Sequence, residues 1–402
     1  MSIHADAIAE CVLAAFDALP QHRKPRLASS GLKAGRREWV PLAGIVLESS
    51  HGRLTCASLA TGMKCLPRDK IQGLNGNVVH DSHAEILALR AFNRFLLHQS
   101  ALLCADSHAA AAADNILQPS HTQQPFTINP KVTIHMYCSE APCGDASMEL
   151  TMAQQDDQSP WTETSSEQLY GRGYFGALGV VRRKPARPDA PPTLSKSCSD
   201  KLALKQYTSV LSAISSLLIH PENAYIHTLV MPKSQMVPQA CQRAFGLNGR
   251  LSALQDASSA PFSFRPFVVR PTSREFIFSR RIADTWAISS VVPSNVSSLT
   301  YGSQQETLIN GTLQGRKQGD PRGASAVSRR SMWMLALQVA TRLANPALLA
   351  ALSAKSYAHV KDSTLLAERQ VAKQTARELS LQGWKRNHGD DEWSITPELP
   401  LT

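Results

Sequence analysis

Residues 132–150 read VTIHMYCSEAPCGDASMEL, and this stretch decides the fold. VTIHMYCS (132–139) is apolar and β-branched, the pattern of a strand. Pro142 then suits the first turn of a following helix, because the N–H it lacks is one that a helix start leaves unpaired anyway. Two more segments carry the same junction outward along the chain. HDSHAEIL (80–87) leads into a helical pattern over 83–98, with Ala84, Leu87, Ala88, Ala91, Phe92 and Phe95 on one face. SCSDKLALKQYTSVLSAISSLL (197–218) is apolar at helical spacing, and AYIHTLVM (224–231) reads as a strand.

The flanks complete the order. Ile8, Val12, Ala15, Phe16 and Leu19 set a helix over 5–19 that stops at Pro20, and WVPLAGIVLES (39–49) is a strand. Residues 100–130, rich in Ala, His, Gln and Ser, read as a surface insertion, and 153–170 as polar loop. Several short β-like runs lie within 255–325. From Ser331 to Leu381 the pattern is helical, broken near Asn345-Pro346. The order β, α, β, α, α, β predicts a layered α/β domain with a helical C-terminal part. No repeat and no long linker divides residues 1–402, which read as a single domain with elaborations.

Composition narrows the class. Of 402 residues, 43% are hydrophobic and 18% charged, enough for a substantial core. Forty-two Lys and Arg against 32 Asp and Glu leave a formal charge of +10, which favours a polyanionic partner, nucleic acid first. Residues 22–37 concentrate this charge: Arg23, Lys24, Arg26, Lys33, Arg36 and Arg37, with no acid before Glu38. Eight scattered cysteines argue against a secreted disulfide scaffold. There is no signal-peptide pattern and no apolar run near the ~18 residues of a membrane span, so a reduced, intracellular protein (cytoplasm or nucleus) with no membrane association is expected.

Three segments can do chemistry: Asp81-Ser82-His83-Ala84-Glu85, Ala141-Pro142-Cys143-Gly144-Asp145-Ala146, and Ser197-Cys198-Ser199-Asp200-Lys201. Each sets a metal-type ligand at or near an expected helix start, where exposed N–H groups favour thiolate over thiol. One His and two Cys with an open fourth place form a catalytic zinc geometry. Zinc deaminases of nucleobases carry H-x-E followed by P-C-x-x-C, with the Glu as proton carrier. Here the position three after Cys143 is Ala146, so the third ligand must come from elsewhere. Cys198 is the best candidate. Cys138, within an apolar strand, is the rival and suits packing better.

At these segments the sequence resembles the eukaryotic adenosine deaminases that act on RNA, most of all their tRNA-specific branch. The likeness also covers KPR (24–26), EWVPLAGIVLE (38–48), TGMKC (61–65), SEAPCGDASMELTMA (139–153), GVVRRKPARPDAPPTLSKSCSDKLA (179–203) and INGTLQGRKQG (309–319). It implies a cytidine-deaminase-like α-β-α core, and conversion of adenosine to inosine in tRNA at the position 3′ to the anticodon of alanine tRNA. No obligatory protein partner is evident. His83, Cys143 and Cys198 match the ligands of Zn2+, and Glu85 matches the proton shuttle. Thr61, Gly62, Lys64 and His135 match positions near the bound nucleotide or its phosphate.

Members of the family also bury an inositol hexakisphosphate beneath the active site. Arg90, Lys201, Tyr357, Lys361, Lys373 and Trp384 stand at matching places, and the resemblance has Asp81, Ser199 and Lys201 linking it to the metal site. Leu89 and Leu204 stand where relatives often carry Arg, so Arg330, Lys205 or Arg386 would have to repair the cage. The alternatives are deamination in other RNA, deamination of cytosine, or a non-catalytic RNA-binding protein with a structural zinc. Glu85 separates the last, since a structural site needs no carboxylate beside its ligand His.

Overall fold

Alternation along Leu42–Glu48 (LAGIVLE) assigns the two faces of the central sheet. Ala43, Ile45 and Leu47 face one way and pack with Ile134, Met136 and Cys138 against the Ala84–Ala105 helix. Leu42 and Val46 face the other way, joining Leu59, Tyr137 and Val230 under the Ile3–Asp17 helix. Gly44 belongs to this second face. A Cβ there would lie 2.6 Å from Val12 Cγ1, so the glycine lets the helix settle onto the sheet.

The computed structural model describes residues 3–26, 36–105, 115–154, 169–170, 176–184, 191–257, 259–285 and 290–395. The central sheet has eight strands in the order 268–272, 226–232, 133–138, 42–48, 54–61, 296–301, 304–309 and 312–313. The first three run parallel, and every later neighbour is antiparallel. The architecture is thus α/β, with helices against both faces of one mixed sheet. Among the described residues no helix is long and apolar enough to cross a membrane.

The C-terminal part is helical: Arg329–Leu343, Pro346–Leu352, Tyr357–Lys361 and Ala367–Leu379. The break falls at Asn345-Pro346 as the sequence predicts, and Asn345 Oδ1 caps the new helix by accepting from Leu348 N (3.1 Å). Beyond these helices the chain folds back. Trp393 stacks on Tyr357 at 5.0 Å between centroids. Asp390 accepts from Gly76 N (3.0 Å) and Arg329 (2.7 Å) and pairs with His80 (3.0 Å).

Three expectations need correction. The helical stretch 197–218 is two helices, Cys198–Thr208 and Ala213–Leu218. Ser209 adopts φ +60°, and Asn93 Oδ1 accepts from Ser212 N (2.6 Å) to fix the turn. Residues 100–130 are more than surface. The second helix continues to Ala105, and Leu117–Pro119 and Phe126–Ile128 form a small sheet with Ile219–His220. Leu117, Phe126 and Ile128 are buried, so a few apolar residues anchor a segment whose composition is otherwise polar. Pro142 starts no helix. A 3-10 turn at Asp145–Ser147 comes first, then a short helix at Met148–Ala153. The basic residue Lys33 and residues 106–114, 155–168 and 185–190 lie outside the described residues.

Candidate active site

The His83 segment is laced to the loop after strand Leu54–Thr61. Ala84 N donates to Gly62 O (2.9 Å), Ser82 N to Lys64 O (2.9 Å) and Leu66 N to His80 O (2.8 Å). Gly62 has φ +143°, and a Cβ there would fall 2.2 Å from Ser82 O, so no other residue fits. Thr61 Oγ1 accepts from Ser298 N (2.9 Å). Thr61, Gly62 and Lys64 are therefore brought beside His83.

The two cysteine segments are bound to each other. Ser197 caps the Cys198–Thr208 helix by accepting from Asp200 N (3.1 Å), while the N–H groups of Cys198 and Ser199 are left to bond outside the helix. Cys198 N donates to Cys143 Sγ (3.3 Å) and Ser199 N to Cys143 O (3.0 Å). Ser199 Oγ donates to Pro142 O (2.8 Å) and accepts from Ala146 N (3.0 Å). Ser199 thus ties the two cysteine segments together. Gly144, at φ +102°, leaves no room for a Cβ, which would stand 2.3 Å from Ser197 Oγ.

These constraints gather His83, Cys143 and Cys198. His83 Nδ1 is 3.8 Å from Cys143 Sγ and 3.6 Å from Cys198 Sγ, and the three donor atoms lie within 4.8 Å of one another. The hydrogen bond with Cys198 holds the Cys143 thiol well below its ordinary range despite burial, and Lys184 and His83 add to this. One imidazole and two thiols, one already thiolate-prone, form a donor set that fits zinc, and three ligands leave a fourth place for water. Glu85, two residues on in the first turn, is buried. Burial raises its carboxyl above the ordinary range and the Cys143 charge raises it further, which suits a group that takes and returns a proton. Cys138 is buried in the core, as its strand setting suggested.

Sequence reasoning passed over Lys184. Its Nζ bonds both oxygens of Asp81 and lies 3.2 Å from Cys198 Sγ. Asp81 also accepts from Ser195 Oγ (2.6 Å), from Lys201 Nζ and from His83 N (3.0 Å). Against burial, Lys184 and Lys201 keep the Asp81 carboxyl well below its usual range. One of three adjacent cations in RRK (182–184), Lys184 carries no mark that sets it apart in sequence.

Beyond Lys201 the cations multiply. Lys205 Nζ and Arg369 Nη2 donate to the same carbonyl, Leu211 O, at 2.7 and 3.1 Å. Burial, then Arg369 and Lys373, push the Lys205 ammonium well down. Burial, then the charges of Arg369, Arg377, Lys361 and Arg386, push Lys373 down to about 6. Lys196 and Arg377 face the Trp384 ring, at 5.7 and 5.8 Å. Lys361 pairs with Asp391 (2.9 Å) and lies over Tyr357. Arg90, lowered to about 10 by burial and Arg329, donates to Val327 O. Among the described residues, Arg369 Nε and Arg377 Nε are buried without a hydrogen-bond partner.

This floor is a cluster of mutually repelling cations. Leu89 and Leu204 are both buried, so they add no charge to it. Lys205 and Arg369 supply it, the latter another residue the sequence did not single out. Arg330 turns elsewhere, donating to Asn75 O (3.0 Å) and lying over Trp393.

His135 is not brought to this site. It lies with Tyr137 on the face of the sheet opposite Ile134, Met136 and Cys138, where it bonds Glu48 Oε2 at 2.9 Å. The period-two alternation of its strand takes it away from the metal group.

Residues 58–388 match the family model described as the adenosine-deaminase (editase) domain. The chain is 38% identical over 399 residues to the tRNA-specific adenosine deaminase 1 of Schizosaccharomyces pombe, covering 96% of each chain. It is 32% identical to the Saccharomyces cerevisiae protein of the same name, over 56% of this chain and 58% of that one. The double-stranded RNA-specific editase Adar of Drosophila melanogaster is 28% identical over 68% of this chain and 39% of its own length.

Proposed function

This chain belongs to the adenosine-deaminase (editase) family, and we propose that it hydrolyses adenosine to inosine in tRNA, with the adenosine 3′ to the anticodon of alanine tRNA as its substrate. The observation that carries the reading is the meeting of His83, Cys143 and Cys198 donor atoms within 4.8 Å, beside the buried Glu85. His83, Cys143 and Cys198 would hold a zinc ion, which would supply the Lewis acidity that makes water nucleophilic near neutral pH. Glu85 accepts the proton that water gives up and delivers it to N1 of adenine as C6 is attacked. It then takes the remaining proton from the new C6 hydroxyl and passes it to the exocyclic amine, so that the C6–N bond breaks, ammonia leaves and the C6 carbonyl of inosine remains. Thr61, Gly62 and Lys64 line the approach to His83 and position the nucleotide. Asp81, held by Lys184 and Lys201, fixes the His83 backbone, and Lys184 offsets the charge of Cys198.

The cation floor is the binding site for an inositol hexakisphosphate. Arg90, Lys201, Lys361 and Lys373, with Lys205 and Arg369, would face its phosphates, and Tyr357 and Trp384 would pack at its rim. Buried like charges are unstable without a counter-charge, and this set has few carboxylates of its own. The layered sheet also suits a cytidine-deaminase-like core.

Incubating alanine tRNA with the purified protein and sequencing for inosine tests the substrate. Inosine 3′ to the anticodon is expected. Uridine formed from cytosine, or no inosine at all, would replace this reading with one of the alternatives. Mass spectrometry of the denatured protein should release the hexakisphosphate.

A further inference from the structure

Three elements converge on one carboxylate on the face of the sheet opposite Ile134, Met136 and Cys138. Glu48 ends the strand Leu42–Glu48, His4 sits in the first turn of the Ile3–Asp17 helix, and His135 stands in the strand Thr133–Cys138. Glu48 Oε2 lies 3.1 Å from His4 Nε2 and 2.9 Å from His135 Nε2. The three ligand atoms are within 4.8 Å of one another. The two imidazoles meet edge to face at 5.3 Å, and the His227 ring from the neighbouring strand stands 6.0 Å from His135.

Here two imidazoles aim the same nitrogen, Nε2, at one oxygen, so the three donor atoms share a single point rather than a chain. The side chains are 47%, 25% and 2% exposed for His4, Glu48 and His135, so the point is walled on the sheet side and open to water on the helix side. Two imidazoles and one carboxylate, with an open place, are a familiar donor set for zinc and its neighbours in the first transition row.

We propose that His4, Glu48 and His135 form a second metal site, for a borderline divalent cation with zinc foremost, separate from the cysteine-bearing centre. Bound there, the ion ties the N-terminal helix to two strands of the sheet. The imidazoles would ligate through Nε2 and carry their remaining proton on Nδ1.

The test uses the untagged full-length protein, loaded with excess Zn2+, passed through gel filtration and assayed for metal by mass spectrometry. Two zinc ions per chain are expected for the wild type. One is expected for His4→Ala and for Glu48→Gln, whose circular dichroism should match the wild type. Loading with Co2+ should add an absorption without thiolate charge transfer, lost in both variants. A wild type that retains one zinc, or variants that keep two, would overturn the proposal. Because the readout is metal stoichiometry, it stands apart from any loss of deamination.

Discussion

Lys184 Nζ bonds both carboxylate oxygens of Asp81, at 3.1 and 2.9 Å, in a pair closed off from solvent. The same ammonium touches Cys198 Sγ at 3.2 Å, so one side chain balances a carboxylate and the sulfur of a proposed zinc ligand together. Lys184→Met should leave both uncompensated, a loss of about 3–5 kcal/mol for a broken buried pair. Denaturant unfolding with parallel zinc analysis would read it; unchanged stability and full zinc would show that the pair is dispensable.

Glu85→Gln keeps the shape of the side chain and removes its ability to carry a proton. Zinc content should stay at the wild-type level while inosine formation falls by at least ~100-fold. A variant that loses its metal as well would place Glu85 among the ligands instead.

Gly144 combines a φ of +102° with a Cβ position 2.3 Å from Ser197 Oγ. Gly144→Ala should force the Cys143 loop away from the cap of the Cys198 helix, with strain on the order of 1–3 kcal/mol. Lower thermal stability and reduced zinc retention are expected together, because the displaced contact lies between two proposed ligands. Thermal unfolding at matched zinc loading checks it.

Lys373 is pushed down to about 6 in the absence of a polyanion. Its folded value lies below the unfolded one, so between them the unfolded chain binds more protons, and stability of the ligand-free protein rises with pH across that window. A bound polyphosphate restores the charge. Calorimetry at pH 8 in buffers of different ionisation enthalpy should therefore show net proton uptake as inositol hexakisphosphate binds to stripped protein. No uptake would mean that Lys373 does not face the ligand.

Much of the site was legible in the sequence because its chemistry needs residue types that are rare together: His83 and Glu85 two apart, Cys143 after a strand, Cys198 after a capping serine. Helix starts were legible for a similar reason, since Asn345-Pro346 and Ser197 mark them locally. Lys184 and Arg369 were not legible, because a buried cation and a solvated one are the same letter until the fold supplies a partner or a neighbour. His135 was misplaced because strand parity decides the face of a residue, and nothing in VTIHMYC says which face meets which helix. The turn at Ser209 was hidden too, for only the long-range bond from Asn93 explains it.

The fold-back of Asp390 onto His80 and Gly76 gives the protein an order of assembly. Ribosomes deliver a chain from its N-terminus, so the segment holding His83 emerges more than three hundred residues before the partner that clamps its neighbour. The clamp on His80 and Gly76 can therefore close only late in synthesis. Truncation after residue 388 should yield a chain that contains every proposed metal ligand, lacks Asp390 and retains the ion less firmly.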